Sequence, residues 1–217
     1  MLTRIAVLVS GGGTNLQALI DASKTTLQHG EIKLVIASNK DAYALKRASD
    51  ANIDHYVLNP KELGADFDDE MIALIDKYQI DLIVLAGYLA ILSPKFVNHY
   101  KDHIVNIHPS LIPSFCGKGM YGLKVHEAAL KKGVKVTGAT VHLVNEIPDD
   151  GLILAQKAVL VKENDDPSSL QKRVMEEARR NASRIVNEAL IKAEKLETDG
   201  ENLRKRIVVF KRRFKRR

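Results

Sequence analysis

The 217-residue chain has a single cysteine, Cys116. That excludes an intramolecular disulfide, and a reducing, cytoplasmic setting is expected. No apolar run approaches the ~18–20 residues of a membrane span. The N-terminal MLTRIAVLVSGGG has a short apolar stretch but no signal-peptide cleavage pattern, and it reads as a first strand. Internal repeats and low-complexity linkers are missing, so one domain over residues 1–194 is expected. Acids are missing from the last fourteen residues, RKRIVVFKRRFKRR, which hold nine of the 33 basic residues. The net charge of +6 therefore belongs to a C-terminal extension, residues 195–217, and not to a face of the domain. Such a tail can bind polyanions non-specifically. The plainer reading is a solvated terminus, partly paired as a closing strand over Ile207–Phe210. Neither a specific nucleic acid nor a membrane is an expected partner.

What is present is an ordinary globular composition, 45% apolar and 28% charged, arranged as alternating strands and helices. RIAVLVS (Arg4–Ser10), IKLVIAS (Ile32–Ser38), HYVLN and DLIVLAG (Asp81–Gly87) read as strands, the last of them central and covered on both faces. Helices are expected over Asn15–Ala22, Tyr43–Ala51, Asp66–Tyr78 and near Ser93–Tyr100, followed by a strand over Ile104–His108. This pattern predicts an α/β protein with an open, mostly parallel, doubly wound sheet of Rossmann-like form. The later KVTGATVHLV alternates as an antiparallel or partly solvated strand would, and LILAQKAVLV follows it as another. The stretch from Asp166 to Lys195 reads as one long helix, with Asp166 as its cap and Pro167 in its first turn.

Three stretches carry chemistry. SGGGTNLQALI joins the first strand to the first helix, and its glycines let backbone N–H groups near Gly13, Thr14 and Asn15 face an anion at a helix N-terminus. It lacks the third glycine of the dinucleotide fingerprint and the Gly-Lys-Ser/Thr of a P-loop, so a monophosphate is the ligand it suits, with a plain tight turn as the competing reading. In NIHPSLIPSF, Asn106 and His108 share one strand face at the carboxyl end of their strand while Ile107 points to the other. An asparagine amide can stabilise an oxyanion and a histidine can do acid–base work, although a structural pair capping a strand end is also consistent. In GATVHLVNEIPDDG, Thr140, His142 and Val144 share a face, and an aspartate of the following loop could raise the basicity of His108. Chemistry alone does not choose between Asp149 and Asp150. Lys118 and the loop Cys116–Gly122 read as a flexible lid, Cys116 has no nucleophile pattern, and His55, His99, His103 and His126 read as ordinary surface or helix residues.

Together, SGGGTNLQALI, ASNKDAYAL, LAGYLAILSP, NIHPSLIPSF and TGATVHLVNEIPDDG, spread over roughly residues 3–190, make the chain resemble the phosphoribosylglycinamide formyltransferases (glycinamide ribonucleotide transformylases). The resemblance implies transfer of a formyl group from 10-formyltetrahydrofolate to the amine of glycinamide ribonucleotide. It implies catalytic roles for Asn106, His108 and Asp149, phosphate binding at Gly13, Thr14 and Asn15, and folate contacts at Leu89, Ala90, Ile91, Leu92 and Asn106. It implies no metal and no tightly bound cofactor, 10-formyltetrahydrofolate being a co-substrate, with small molecules as partners of a monomer or homodimer.

The chain also departs from the family pattern. Ala90 and the LGADFDDE stretch around Gly64 stand where the family commonly has arginines, and Ala178-Arg179 replaces a Glu-His pair. Pro148 replaces an aliphatic residue, and GLI replaces Gly-Pro-Ile. The alternatives are an impaired or non-catalytic relative that binds folate or ribonucleotide, a formyltetrahydrofolate hydrolase, and a polyanion-binding protein acting through its tail.

Overall fold

In the computed structural model, residues 2–25, 27 and 30–180 are described. The expected strand over Ile207–Phe210, the extension over 195–217 and the second half of the long helix lie outside them. Seven strands form one sheet in the order β3-β2-β1-β4-β5-β6-β7. They are β1 (Thr3–Val9), β2 (Gly30–Ala37), β3 (Asp54–Val57), β4 (Leu82–Leu85), β5 (Ile104–His108), β6 (Val136–Leu143) and β7 (Ile153–Leu160). The first five are parallel, whereas β6 is antiparallel to both β5 and β7. This is the α/β architecture that the alternation predicts, with its antiparallel part in the second half.

The strands that read as continuous apolar runs are the ones with helices on both faces. Val7, Val9, Val35, Val84 and Val105 pack with Leu16, Leu19 and Ile20 of α1 (Thr14–Ser23) and Ala44 and Ala48 of α2 (Tyr43–Asp50). A four-residue helix, α3 (Pro60–Leu63), and a 3₁₀ turn, Gly64–Asp66, precede α4 (Phe67–Lys77), so the helix expected from Asp66 has a broken approach. On the opposite face, Leu8, Ile36, Ile83 and Ile104 pack with Met71 and Ile75 of α4 and Phe96 of α5 (Pro94–His99). A third, smaller cluster sets Leu170 and Val174 against Ala139 and Val159. The two valine- and leucine-rich layers bury side chains worth about 1.5–3 kcal/mol each by transfer.

Two elements depart from expectation. Residues Leu123–Lys132 form a helix, α6, to which the sequence reading assigns no element. The alternating strand is not partly solvated, because every residue of β6 after Val136 is buried. Two of its polar members find partners inside, His142 at the Leu143 carbonyl and Thr140, whose hydroxyl donates to the Ser110 carbonyl and accepts from the Ile112 N–H and the Gln156 amide. The buried Thr137 hydroxyl has no partner among the described residues. The last described helix, α7 (Pro167–Arg180), begins as expected. Asp166 Oδ1 accepts from the Ser169 N–H at 2.8 Å, and the Ser169 hydroxyl accepts from the Asp166 N–H at 3.0 Å, a reciprocal cap.

Candidate functional site

The chain runs outward from β1 to β3 and then crosses back to β4, so the carboxyl ends of β1 and β4 diverge at a topological switch point. Open α/β sheets hold ligands at such a point. A cavity of about 550 Å³ lies there. Its wall includes Thr14 and Asn15 from the first loop, Gly87–Leu89 after β4, and Asn106 and His108 from β5, together with Asp149.

The first loop is built from backbone. Gly13 caps α1 in the left-handed region at φ 66, and no side chain caps that N-terminus. A side chain on Gly13 would bring its Cβ within 2.6 Å of the Ala44 Cβ, so only glycine lets α1 and α2 approach this closely. From α2, the Arg47 Nε donates to the Gly12 carbonyl at 2.8 Å and Nη1 donates to Gln17 Oε1 at 3.0 Å. Ser10 Oγ accepts from the Leu89 N–H at 2.8 Å and from the Ser38 hydroxyl at 2.7 Å, stitching the loops after β1, β2 and β4 together. The helix dipole and its uncapped amides favour an anion here.

The other end is built from side chains, and its contacts fall into two groups. The anchoring contacts are short. His108 Nε2 lies 2.9 Å from the Phe115 carbonyl, which can only accept, so Nε2 carries a hydrogen. The Gly117 N–H donates to Asp149 Oδ2 at 2.8 Å. His142 Nδ1 lies 2.8 Å from the Leu143 carbonyl. The contacts among the working groups are longer: His108 Nδ1 to Asp149 Oδ2 is 3.4 Å, Asn106 Nδ2 to Asp149 Oδ1 is 3.4 Å, and His142 Nε2 to Asp149 Oδ1 is 3.5 Å. Groups fixed at the back and loosely paired at the front can turn toward a reactant without being released from the protein.

Asp149, and not Asp150, meets the histidines; the Asp150 carboxylate accepts from the Asn145 amide instead. The loop that carries Asp149 can close because Gly151 has no side chain: a Cβ there would lie 1.7 Å from the Leu143 carbonyl oxygen. Burial opposes charge on Asp149. The Gly117 N–H and the nearby His108 imidazole outweigh it and hold the carboxyl below the usual carboxylate range. Five non-glycine residues have positive φ among those described, and two of them, Phe115 (φ 52) and Asp149 (φ 58), are the two that contact His108. Left-handed backbone at a bulky phenylalanine is strained, and strain of this kind concentrates at functional sites.

Of the residues singled out in the sequence, Thr14, Asn15, Leu89, Asn106, His108 and Asp149 line one cavity. Gly13 sits directly behind Thr14, while Ala90, Ile91 and Leu92 continue the loop beyond the cavity wall, Ile91 with 84% of its surface exposed. His142, buried at 1%, belongs to the cluster. His126 corrects the reading that it is an ordinary surface or helix residue: it lies on α6 but is fully buried, with no hydrogen-bond partner at either ring nitrogen among the described residues. Burial, helped by the nearby His108, pushes its imidazole down to about 4. Sequence reasoning missed the Phe115 carbonyl and the Gly117 N–H, since loop backbone carries no residue-type signal. It also missed Gln171, Lys172 and Met175, which form the α7 wall together with Ala178, already noted as a departure; the spacing places Gln171, Met175 and Ala178 on one helix face. No group of three or more His, Cys, Asp or Glu residues able to hold a metal occurs among the described residues.

The pattern of the Formyl transferase family matches residues 3–186. The chain is 40% identical over 172 residues to the phosphoribosylglycinamide formyltransferase of Escherichia coli (strain K12), covering 78% of this chain and 79% of that one. It is 42% identical over 173 residues to the trifunctional purine biosynthetic protein adenosine-3 of Homo sapiens, spanning 79% of this chain but only 17% of that much longer protein. The crystal structure of phosphoribosylglycinamide formyltransferase from Bacillus halodurans superposes with a TM-score of 0.81 at 35% identity, covering 89% of this chain and 98% of that one.

Proposed function

The chain belongs to the formyl transferase family, and from that premise we propose that it transfers the formyl group of 10-formyltetrahydrofolate to the amine of 5′-phosphoribosylglycinamide, a step of purine biosynthesis. The observation that carries this reading is the single cavity that joins an anion-suited loop to the Asn106–His108–Asp149 cluster. A phosphate held at Gly13, Thr14 and Asn15 would leave the rest of a small ribonucleotide extending toward that cluster. The folate enters past Leu89–Leu92, where Leu89 faces the cavity. We read residues 1–194 as the catalytic domain and 195–217 as a basic extension, and the setting as cytoplasmic. No helix among the described residues is long and apolar enough to cross a membrane.

The chemistry follows from the two groups of contacts. The substrate amine attacks the formyl carbon, and charge builds on the formyl oxygen. Asn106 supplies one N–H and His108 supplies Nδ1–H to that oxygen, each exchanging its 3.4 Å contact with Asp149 for a shorter one. Losing one such donor costs about 3–4 kcal/mol in activation free energy. Asp149 takes the proton that leaves the amine, and the departing folate nitrogen receives it as the carbon–nitrogen bond breaks, so the overall exchange is formyl for proton. No metal or redox group takes part.

The departures at Ala90, Gly64 and Ala178-Arg179 bear on affinity and leave the three reacting groups untouched. Ala178 is a buried member of the cavity wall and offers no polar contact where it stands. Formyl transfer, followed as tetrahydrofolate released with and without ribonucleotide for wild type and His108→Ala, tests the reading. Ribonucleotide-dependent turnover that collapses in the variant is expected. Turnover without the ribonucleotide would make the protein a hydrolase, and ligand binding without turnover would make it a binding protein.

A further inference from the structure

We infer that His142 is a positioning residue that acts through Asn106: its bare Nε2 holds the amide so that one N–H stays directed at the reacting centre. The inference rests on the proposed formyl transfer for its kinetic consequence, but its structural content stands on hydrogen-bond logic alone.

That logic begins with a carbonyl. His142 Nδ1 lies 2.8 Å from the Leu143 oxygen, which cannot donate, so Nδ1 carries a hydrogen. Nε2 then faces the Asn106 side-chain nitrogen at 3.1 Å. That nitrogen cannot accept, so Nε2 is the acceptor and the ring is neutral. The Asn106 nitrogen has two hydrogens and two acceptors before it, Nε2 of His142 at 3.1 Å and Oδ1 of Asp149 at 3.4 Å. The shorter contact anchors the amide, and the longer one points where the formyl oxygen is activated. Strand pairing fixes this meeting, because Asn106 on β5 is directly opposite His142 on β6 in the antiparallel register. His142 is 1% exposed, so water does not compete for Nε2.

A second arrangement is chemically available and makes the inference breakable. Nε2 also lies 3.5 Å from Asp149 Oδ1. A protonated ring would pair with that carboxylate directly, and Asn106 would have to turn its oxygen toward the new Nε2–H. The N–H on the reaction side would then be lost. The two states assign His142 opposite routes of action, through Asn106 or through Asp149.

Without the acceptor, Asn106 is free to rotate, and the transition state loses a donor part of the time. His142→Leu should therefore lower kcat by about 10- to 100-fold, less than outright removal of an oxyanion donor, and leave KM for both substrates within about threefold. His142→Gln keeps an oxygen near the Nε2 position and should recover most of that loss. In an Asn106→Ala background, His142→Leu should add no more than about a twofold further loss, because the group it positions is already absent. Full additivity, or a His142→Gln variant no better than His142→Leu, would overturn the inference in favour of a direct pair with Asp149. Nitrogen-15 spectra of the ligand-free wild-type protein test the same point without turnover: a non-protonated Nε2 in His142 is expected, and a doubly protonated ring would refute it. A wild type that transfers no formyl group sinks the functional reading, whereas the spectra still decide the role of His142.

Discussion

The two ends of the cavity are made differently. At the Gly13 end, backbone amides and a helix terminus face the cavity, and the side chains that matter, Arg47 and Ser10, stand behind the loop as braces. At the His108 end, side chains from two strands and a loop converge, and the backbone that carries them is strained at Phe115 and Asp149. A binding end built from amides tolerates change in nearby side chains and fails when the chain path changes. A reacting end built from side chains fails group by group and responds to protonation.

Four experiments would break or sharpen that contrast. The largest effect is expected for Asp149→Asn, which removes the carboxylate but keeps the shape. The rate of formyl transfer should fall by about three orders of magnitude while ribonucleotide binding, measured by calorimetry, changes little. If binding falls in parallel with rate, the two ends are not separable. Next comes Gly13→Ala, where φ 66 and the 2.6 Å approach to Ala44 both oppose a side chain. A loss of about 1–3 kcal/mol in stability and at least a tenfold rise in KM for the ribonucleotide are expected, with a smaller change in kcat. A collapse of kcat at saturating substrate would show that the loop also shapes the reacting end.

The third experiment follows the buried His126. Its folded imidazole, at about 4, lies below the ordinary value near 6.5, so the unfolded chain takes up a proton that the folded chain refuses. Stability is therefore intact above about 6.5 and declines as pH falls from there toward 4, by an amount on the order of 3 kcal/mol. Chemical denaturation of His126→Leu across that window should show a flatter acid limb than wild type. An unchanged limb would place the acid sensitivity elsewhere. The smallest effect belongs to neither end: Asp166→Ala removes one half of the α7 cap and should cost about 1 kcal/mol, read as a shift in denaturation midpoint with unchanged kcat.

The sequence made the turn before α1 and the strand framework legible for a physical reason. Glycines at a strand-to-helix turn and unbroken apolar strands are local signals, and the strand at Ile104–His108 fell on its expected boundaries. Asn106 and His108 could be placed on one face by alternation alone. The partners of His108 could not, because Phe115 and Gly117 contribute only backbone, and Asp149 differs from Asp150 only through the path that Gly151 permits. His126 was hidden for a related reason. A histidine on a helix resembles a surface residue until the helix is docked, and α6 follows a loop whose glycines obscure its start. The burial of β6 went against its alternating pattern because Thr140 and His142 find their partners inside, so their polarity says nothing about water.

The hydrogen bond from His108 to Phe115 has a further consequence. A ring fastened at one nitrogen is a dead end for protons on that side: whatever arrives at Nδ1 must depart from Nδ1. It can serve as a lender but not as a conduit across the sheet. In the proposed reaction the proton passes from the amine to the folate nitrogen by way of Asp149, which lies on the Nδ1 side, so both nitrogens must stand on that side of the ring at the same time. The expected order of events is a ternary complex with intersecting initial-rate plots, with no formylated form of the protein lasting between one substrate and the next.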